Sequence, residues 1–408
     1  MRTSQTSASL VCAGSIISWR RVHSTTIFIG KSNNKTWPDQ FSCGESNMEQ
    51  LLDAPVRAAQ DTELAIPAVM GRAARRLPSL VMTRTPLRVS FAGGGTDLPD
   101  FYNLDFGAVF SAAVDKHIYV TVKRHSEIFN EPIRLNYSQT EQVNTIDEIK
   151  NNIARECLRF MEIEPPIYIS TVGDMPASTG MGGSSSFTVG LLNALHAFRG
   201  ERVTPGQLAE EACHIEMDVL KEPIGKQDQY AAAFGGLNLF RFHPEGAVTV
   251  EPQRVRNGAV EHLFQNLMMF WTSHQRPASS VLVEQKAKTS SNLETLRRMR
   301  DDAFLLQRVF LEAAIDIERF GAVLHSGWQM KRQLASRVSN EEINRNYDLA
   351  MQAGAEGGKL CGAGGGGFLM FAVKPERRES VRRALSKLAY VPIGYEVQGS
   401  HLLHPAHV

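Results

Sequence analysis

The stretch PASTGMGGSSSFTVGLLNAL, from Pro176 to Leu195, sets Gly180, Gly182 and Gly183 and then three consecutive serines in front of an apolar run. Glycines let successive backbone N–H groups turn inward into a concave nest, and a helix start adds unpaired donors and a positive dipole end. Hydroxyls at such a place cap the helix, hold phosphate oxygens or ligate Mg²⁺. The stretch reads as an anion nest or as a serine-capped helix after a flexible loop. No G-K-[ST] follows it, which excludes a Walker A loop.

Three further clusters could carry chemistry. In RVSFAGGGTDLPDF (Arg88 to Phe101) a strand-like run ends in three glycines, then Thr96 and Asp97. A carboxylate just past such a bend can accept hydrogen bonds from vicinal sugar hydroxyls, or it can cap the turn. In IEMDVLKEPIGKQDQYAAAFGG, Glu216 falls on a helix and Asp228 in a loop beside Lys226 and Gln227. A carboxylate among cations is suited to orienting or deprotonating a hydroxyl; a surface ion pair is the plainer use. Gly362 to Gly367 formally satisfies G-x-G-x-x-G but runs into the strand-like FLMFAV. A dinucleotide fingerprint opens a helix instead, so close backbone packing is expected here.

These residues need a scaffold, and the chain is long enough to build one. At 408 residues, with 43% hydrophobic and 21% charged content, it has the composition of a globular protein of one large or two medium domains. Lys plus Arg number 44 against 43 Asp plus Glu, so no global charge draws the chain to nucleic acid or an anionic membrane. No apolar run approaches the ~20 residues of a membrane span. The five cysteines have no framework or metal-ligand spacing, which argues for reduced thiols and a cytoplasmic setting.

Up to Pro38 the chain is basic and free of acidic residues, compatible with a transit peptide, a disordered extension or a start assigned too far upstream. Residues 1–82 are therefore set aside as an extension. Beyond them, LRVSF, HIYVTVK, IYISTV, LNLFRF and NLMMFW read as strands. FTVGLLNALHAF has helical spacing, and Thr204 and Pro205 mark a helix start. A long helical region is expected over about 278–336 and a shorter helix near 341–354. Residues 389–408 read as a tail, with His401, His404 and His407 on a frayed end. Strands and helices mix without βαβ alternation, which predicts an α+β fold.

In order and spacing, PLRVSFAGGGTD, PASTGMGGSSSF and KLCGAGGGGF resemble the three motifs of the GHMP kinases, over roughly Thr83 to Leu388. TRTPLRVSFAGGGTDLPDFY and EPIGKQDQYAAAFGGLN look most like the heptose 7-phosphate kinase branch. The resemblance implies two lobes: 83–252, ribosomal-S5-like and ATP-binding, and 253–388, ferredoxin-like. It implies ATP and Mg²⁺ as cofactors and transfer to the anomeric hydroxyl of a heptose 7-phosphate. A kinase of an unphosphorylated sugar, fucokinase- or galactokinase-like, and a catalytically silent sugar-sensing homologue stay open.

Residue by residue, the resemblance implies that Gly180, Met181, Gly182, Gly183, Ser184 and Ser185 wrap the ATP phosphates. It makes Ser184 and Glu216 magnesium ligands, Asp228 the catalytic base and Arg88 the cation near the transferred phosphoryl. Asp97 becomes a sugar-hydroxyl ligand, and Gly364, Gly365 and Gly366 brace the substrate side. Gly183 departs from the family pattern, which usually has a serine there. For the acceptor's own phosphate, Lys116, Lys226 and Arg276 are the available cations, with nothing in the sequence to choose among them.

Overall fold

The computed structural model describes residues 77–254, 258–273, 279–312 and 315–403. The extension up to residue 76, Arg276, His404 and His407 lie outside them. The first part of the chain runs β1 (Leu80–Ala92), α1 (Pro99–Tyr102), β2 (Gly107–Arg124), β3 (Ile133–Asn136) and β4 (Thr140–Val143). It continues with α2 (Asn152–Phe160), β5 (Ile167–Gly173), α3 (Gly183–Phe198), α4 (Pro205–Cys213), a π-helical turn (His214–Val219) and α5 (Gln227–Phe234). Strands β6 (Leu237–Phe242) and β7 (Val248–Pro252) complete it. The second part contains α6 (Ala259–Gln265), β8 (Leu267–Trp271), α7 (Ser279–Ala287), α8 (Leu293–Leu311), α9 (Ile317–Leu334) and α10 (Glu341–Gln352). Then follow β9 (Gly357–Leu360), β10 (Phe368–Ala372), α11 (Arg378–Ala384), β11 (Ala389–Val391) and β12 (His401–Leu403).

Among the described residues the strands form two sheets. The first has eight strands in the order β12-β1-β2-β5-β3-β4, with β6 and β7 branching from β2. The long β2 serves two neighbours along one edge: β6 pairs with Gly107–Ala112 and β5 with Ile118–Arg124. The second is a four-stranded antiparallel sheet, β11-β8-β10-β9. This is the expected α+β organisation, and segregation of helices onto sheet faces accounts for it.

Two cores explain why β1 can carry functional residues. Helix α3 is buried nearly all round and packs with Val120, Val122 and Ile169 against one side of the first sheet. Leu87, Val89 and Phe91 join a second core with Phe310 and Phe320 of the helices that follow. A register irregularity between Pro86 and Leu87 separates these halves of β1. Past it Arg88, flanked by core residues, is free to reach α5.

Local signals behave as the sequence implies. Thr204 Oγ1 accepts from the Gln207 N–H (3.2 Å) and Pro205 opens α4. The long helical region is broken rather than continuous, because Asp316 accepts from the N–H groups of Glu318 and Arg319 and starts α9 afresh. The tail expected from residue 389 is a correction. β11 pairs with β8, and His401, expected on a frayed end, pairs with Arg84 of β1. Short strands with little periodicity gave no signal; their order comes from partners distant in sequence, such as the bond between Ser400 Oγ and Thr85 Oγ1 (2.8 Å).

Candidate active site

The loop before α3 has the conformation its glycines permit. Gly180 (φ +81°) and Gly182 (φ +77°) are left-handed, and α3 begins at Gly183. β1 holds this loop directly: Arg88 N–H donates to the Met181 carbonyl (3.1 Å), and Arg88 Nη1 to that of Gly180 (2.7 Å). Ser186 Oγ donates to the Pro86 carbonyl (2.8 Å), fixing the first turn of the helix.

Arg88 turns its other guanidinium edge on Asp228, with Nε and Nη2 each 2.7 Å from a carboxylate oxygen. Such a bidentate pair fixes the carboxylate's orientation as well as its position. Asp228 does not lie in a loop as expected; it sits in the first turn of α5, which begins at Gln227. A Cβ on Gly182 would stand 3.4 Å from Asp228 Oδ2, so the carboxylate lies directly against the glycine loop.

Glu216 comes from the π-helical turn His214–Val219, a rare form that recurs at functional sites. It is buried, its Oε1 accepting from Ser184 Oγ (2.9 Å) and its Oε2 from Gln229 Nε2 (2.7 Å). Burial raises its carboxyl to about 7, against the pull of the hydroxyls and the amide. Ser185 is buried beside Ser184. Among the described residues no group of three or more His, Cys, Asp or Glu could hold a metal ion by itself.

Asp97 is buried, and its Oδ2 accepts from the N–H of Gln227, the residue before Asp228 (3.4 Å). Its Oδ1 accepts from Gly95 N–H (2.9 Å), while Thr96 ties the turn to Gly93 and Ala108. Burial, and then the charge of Asp228, raise its pKa above the usual carboxylate value.

The third glycine cluster meets the first in an unexpected way. Gly362 rests on Gly180, where a Cβ would come 2.3 Å from the Gly180 Cα, and Gly367 lies against the Thr179 carbonyl. Gly364 instead packs against Val338, and Gly365 N–H donates to the Val338 carbonyl (2.8 Å). The glycines that touch the loop before α3 are thus Gly362 and Gly367, at the ends of the cluster. Gly183 has only Leu87 Cδ2 near its Cβ position, at 4.0 Å, so the departure from the family pattern leaves room for a side chain.

Of the surface cations, Lys116 pairs with Asp115 (2.9 Å), and Lys226 donates to the Gly246 carbonyl (2.6 Å). Both are committed locally. Gln229, Lys331 and Lys359 were missed in the sequence. Lys331 left a trace: it stands in the buried stripe of α9 with Leu324, Trp328 and Leu334.

Residues 144–236 match the family described as GHMP kinases N terminal domain, and residues 310–391 that described as GHMP kinases C terminal. The D-glycero-alpha-D-manno-heptose 7-phosphate kinase of Campylobacter jejuni is 30% identical over 321 residues, covering 75% of this chain and 93% of that one. The galactokinase of Pyrococcus furiosus is 25% identical, with the same coverage of each. A crystal structure of a D-glycero-D-manno-heptose 1-phosphate kinase from Bacteroides thetaiotaomicron superposes with a TM-score of 0.66 at 25% identity, over 80% of this chain and 99% of that one.

Proposed function

Because the chain belongs to the GHMP kinase family, whose members use ATP as phosphate donor, we propose that it is a sugar kinase. It transfers the γ-phosphoryl group to the anomeric hydroxyl of D-glycero-D-manno-heptose 7-phosphate, giving the 1,7-bisphosphate. The observation that carries this reading is the Arg88–Asp228 pair set against the glycine loop. That arrangement supports a base and a phosphate nest in contact. The names of the two heptose-specific relatives favour a phosphorylated heptose as the acceptor.

Phosphoryl transfer asks chiefly for alignment and for neutralised charge. The loop Gly180–Ser185 holds the ATP phosphates on backbone N–H groups and the N-terminus of α3. Asp228, oriented by Arg88, takes the proton of the acceptor hydroxyl. An anomeric hydroxyl is more acidic than an ordinary alcohol, so a carboxylate base suffices. Asp97 orients the neighbouring sugar hydroxyls.

Ser184 and Glu216 fit Mg²⁺: they are oxygen donors with one carboxylate, the kind of set that would hold the ion together with phosphate oxygens. Bound there, Mg²⁺ supplies neutralisation of the phosphate charge. Gln229 keeps the Glu216 carboxylate turned toward Ser184. Glu216→Gln is expected to raise the half-saturating magnesium concentration by at least the ~10-fold that loss of even an outer-sphere partner costs. A magnesium titration of kcat checks this, and an unchanged curve removes Glu216 from the site.

The deciding experiment is a panel of phosphorylated and free sugars with product analysis. The expected result is turnover with heptose 7-phosphate and a product phosphorylated at carbon 1. ADP release stimulated by free hexose alone would replace this assignment with a galactokinase-like one, the reading favoured by the 25% identity to galactokinase.

A further inference from the structure

Two buried cations have no task in that scheme. Lys331 on α9 and Lys359 on β9 are each 8% exposed. Lys331 donates to the Gly362 carbonyl, and Lys359 to those of Ser90 (2.7 Å) and Phe91 (3.2 Å). Among the described residues these carbonyls are their hydrogen-bond partners, and neither ammonium pairs with a carboxylate. Asp302, whose charge Lys359 feels, leaves its Oδ2 without a hydrogen bond. Burial pushes Lys331 down to about 7 and Lys359 to about 8, and Lys331 also feels Lys359 and Arg88 as like charges.

An ammonium buried without a counter-ion lowers stability, and an apolar side chain of similar length would suit the α9 stripe better. Such a charge is explained by an anion that arrives with a ligand. Its position agrees. The Gly362 carbonyl that Lys331 holds belongs to the residue resting on Gly180, and the Gly180 carbonyl is held by Arg88. The charge of Asp97, on the first glycine turn, reaches Lys331 as well. Lys331 therefore stands beside the contact between the Gly362 turn and the glycine loop before α3, and its Nζ makes one hydrogen bond there, to the Gly362 carbonyl.

We propose that Lys331, backed by Lys359, is a phosphate-binding group of this site, pairing its ammonium with a phosphate of a bound substrate beside the contact between Gly362 and Gly180. The proposal rests on the kinase reading. The phosphate is that of the acceptor or one of those of ATP, and the experiment separates the two.

The test uses the full chain with Lys331→Met and Lys331→Arg. Inorganic phosphate is expected to raise the thermal midpoint of the native protein and of Lys331→Arg by more than that of Lys331→Met, in which only the backbone nest at Gly180–Ser185 remains. Without phosphate, Lys331→Met is expected to melt no lower than the native protein, since it removes a buried charge. A merely structural lysine would give the opposite shift. The same variant is expected to lose about 100-fold in kcat/KM. A rise in KM for heptose 7-phosphate alone assigns the acceptor's phosphate; a rise in KM for ATP alone assigns the donor's. Stabilisation of Lys331→Met by phosphate as strong as in the native protein, or unchanged KM values for both substrates, overturns the proposal. If heptose 7-phosphate proves not to be a substrate, the phosphate-stabilisation arm still decides this site independently.

Discussion

Replacing Asp228 with asparagine is expected to lower kcat by about 10²- to 10⁴-fold, the range a positioned general base contributes, while ATP still binds. The reason lies in the geometry of its pair. Both carboxylate oxygens of Asp228 accept from Arg88 at 2.7 Å, and an amide can offer only one acceptor to that fork. The variant thus loses its base and loosens Arg88 together. Arg88 is buried and Asp228 only 24% exposed, so leaving the guanidinium without its carboxylate should cost about 1–3 kcal/mol. Single-turnover rates, ATP binding and a urea melt separate the three effects. Near-normal turnover would show that another group takes the proton.

Gly362→Ala should damage the fold and the site at once. Gly362 has φ +71°, where an L-residue costs roughly 1–2 kcal/mol. Its Cβ would also come 2.3 Å from the Cα of Gly180, a backbone contact that no side-chain rotation relieves. Overpacking of that kind costs a further ~1–3 kcal/mol. The expected outcome is a destabilisation of about 2–5 kcal/mol by urea unfolding, with a raised KM for ATP because the nest is pushed aside. Gly183→Ser is the matched control, since that position has space and a helical backbone. Native stability and native KM in the Gly362→Ala variant would mean that the two glycine loops do not depend on each other.

Much of this site was legible because glycine and serine patterns report backbone requirements locally. The left-handed Gly180 and Gly182, the start of α3 and the Thr204 cap all follow from residue types within a few positions. The α+β class followed from the absence of βαβ alternation. What could not be read depended on distant partners. Asp228 looked like a loop residue because nothing nearby announces α5; its helix is packed against β1 and α3 by contacts far away in sequence. The glycines of the third cluster that touch the first loop are Gly362 and Gly367, and local sequence does not distinguish them from Gly364 to Gly366. Lys331 was the exception: a lysine in an apolar helical stripe is a visible anomaly, and its meaning needed the loop above it.

The placement of β12 bears on how the chain is made. The edge of β1 at Met82–Arg84 is closed by His401–Leu403, and the segment leading there is stitched to Ala113, Ala232 and Gly236 on the way. On the ribosome β1 emerges early and its outer neighbour emerges only after every strand of the second sheet. The first lobe therefore cannot finish before the second has been synthesised. Until then it presents an open strand edge to its surroundings, the hazard that co-translational folding usually avoids by completing one unit before the next begins.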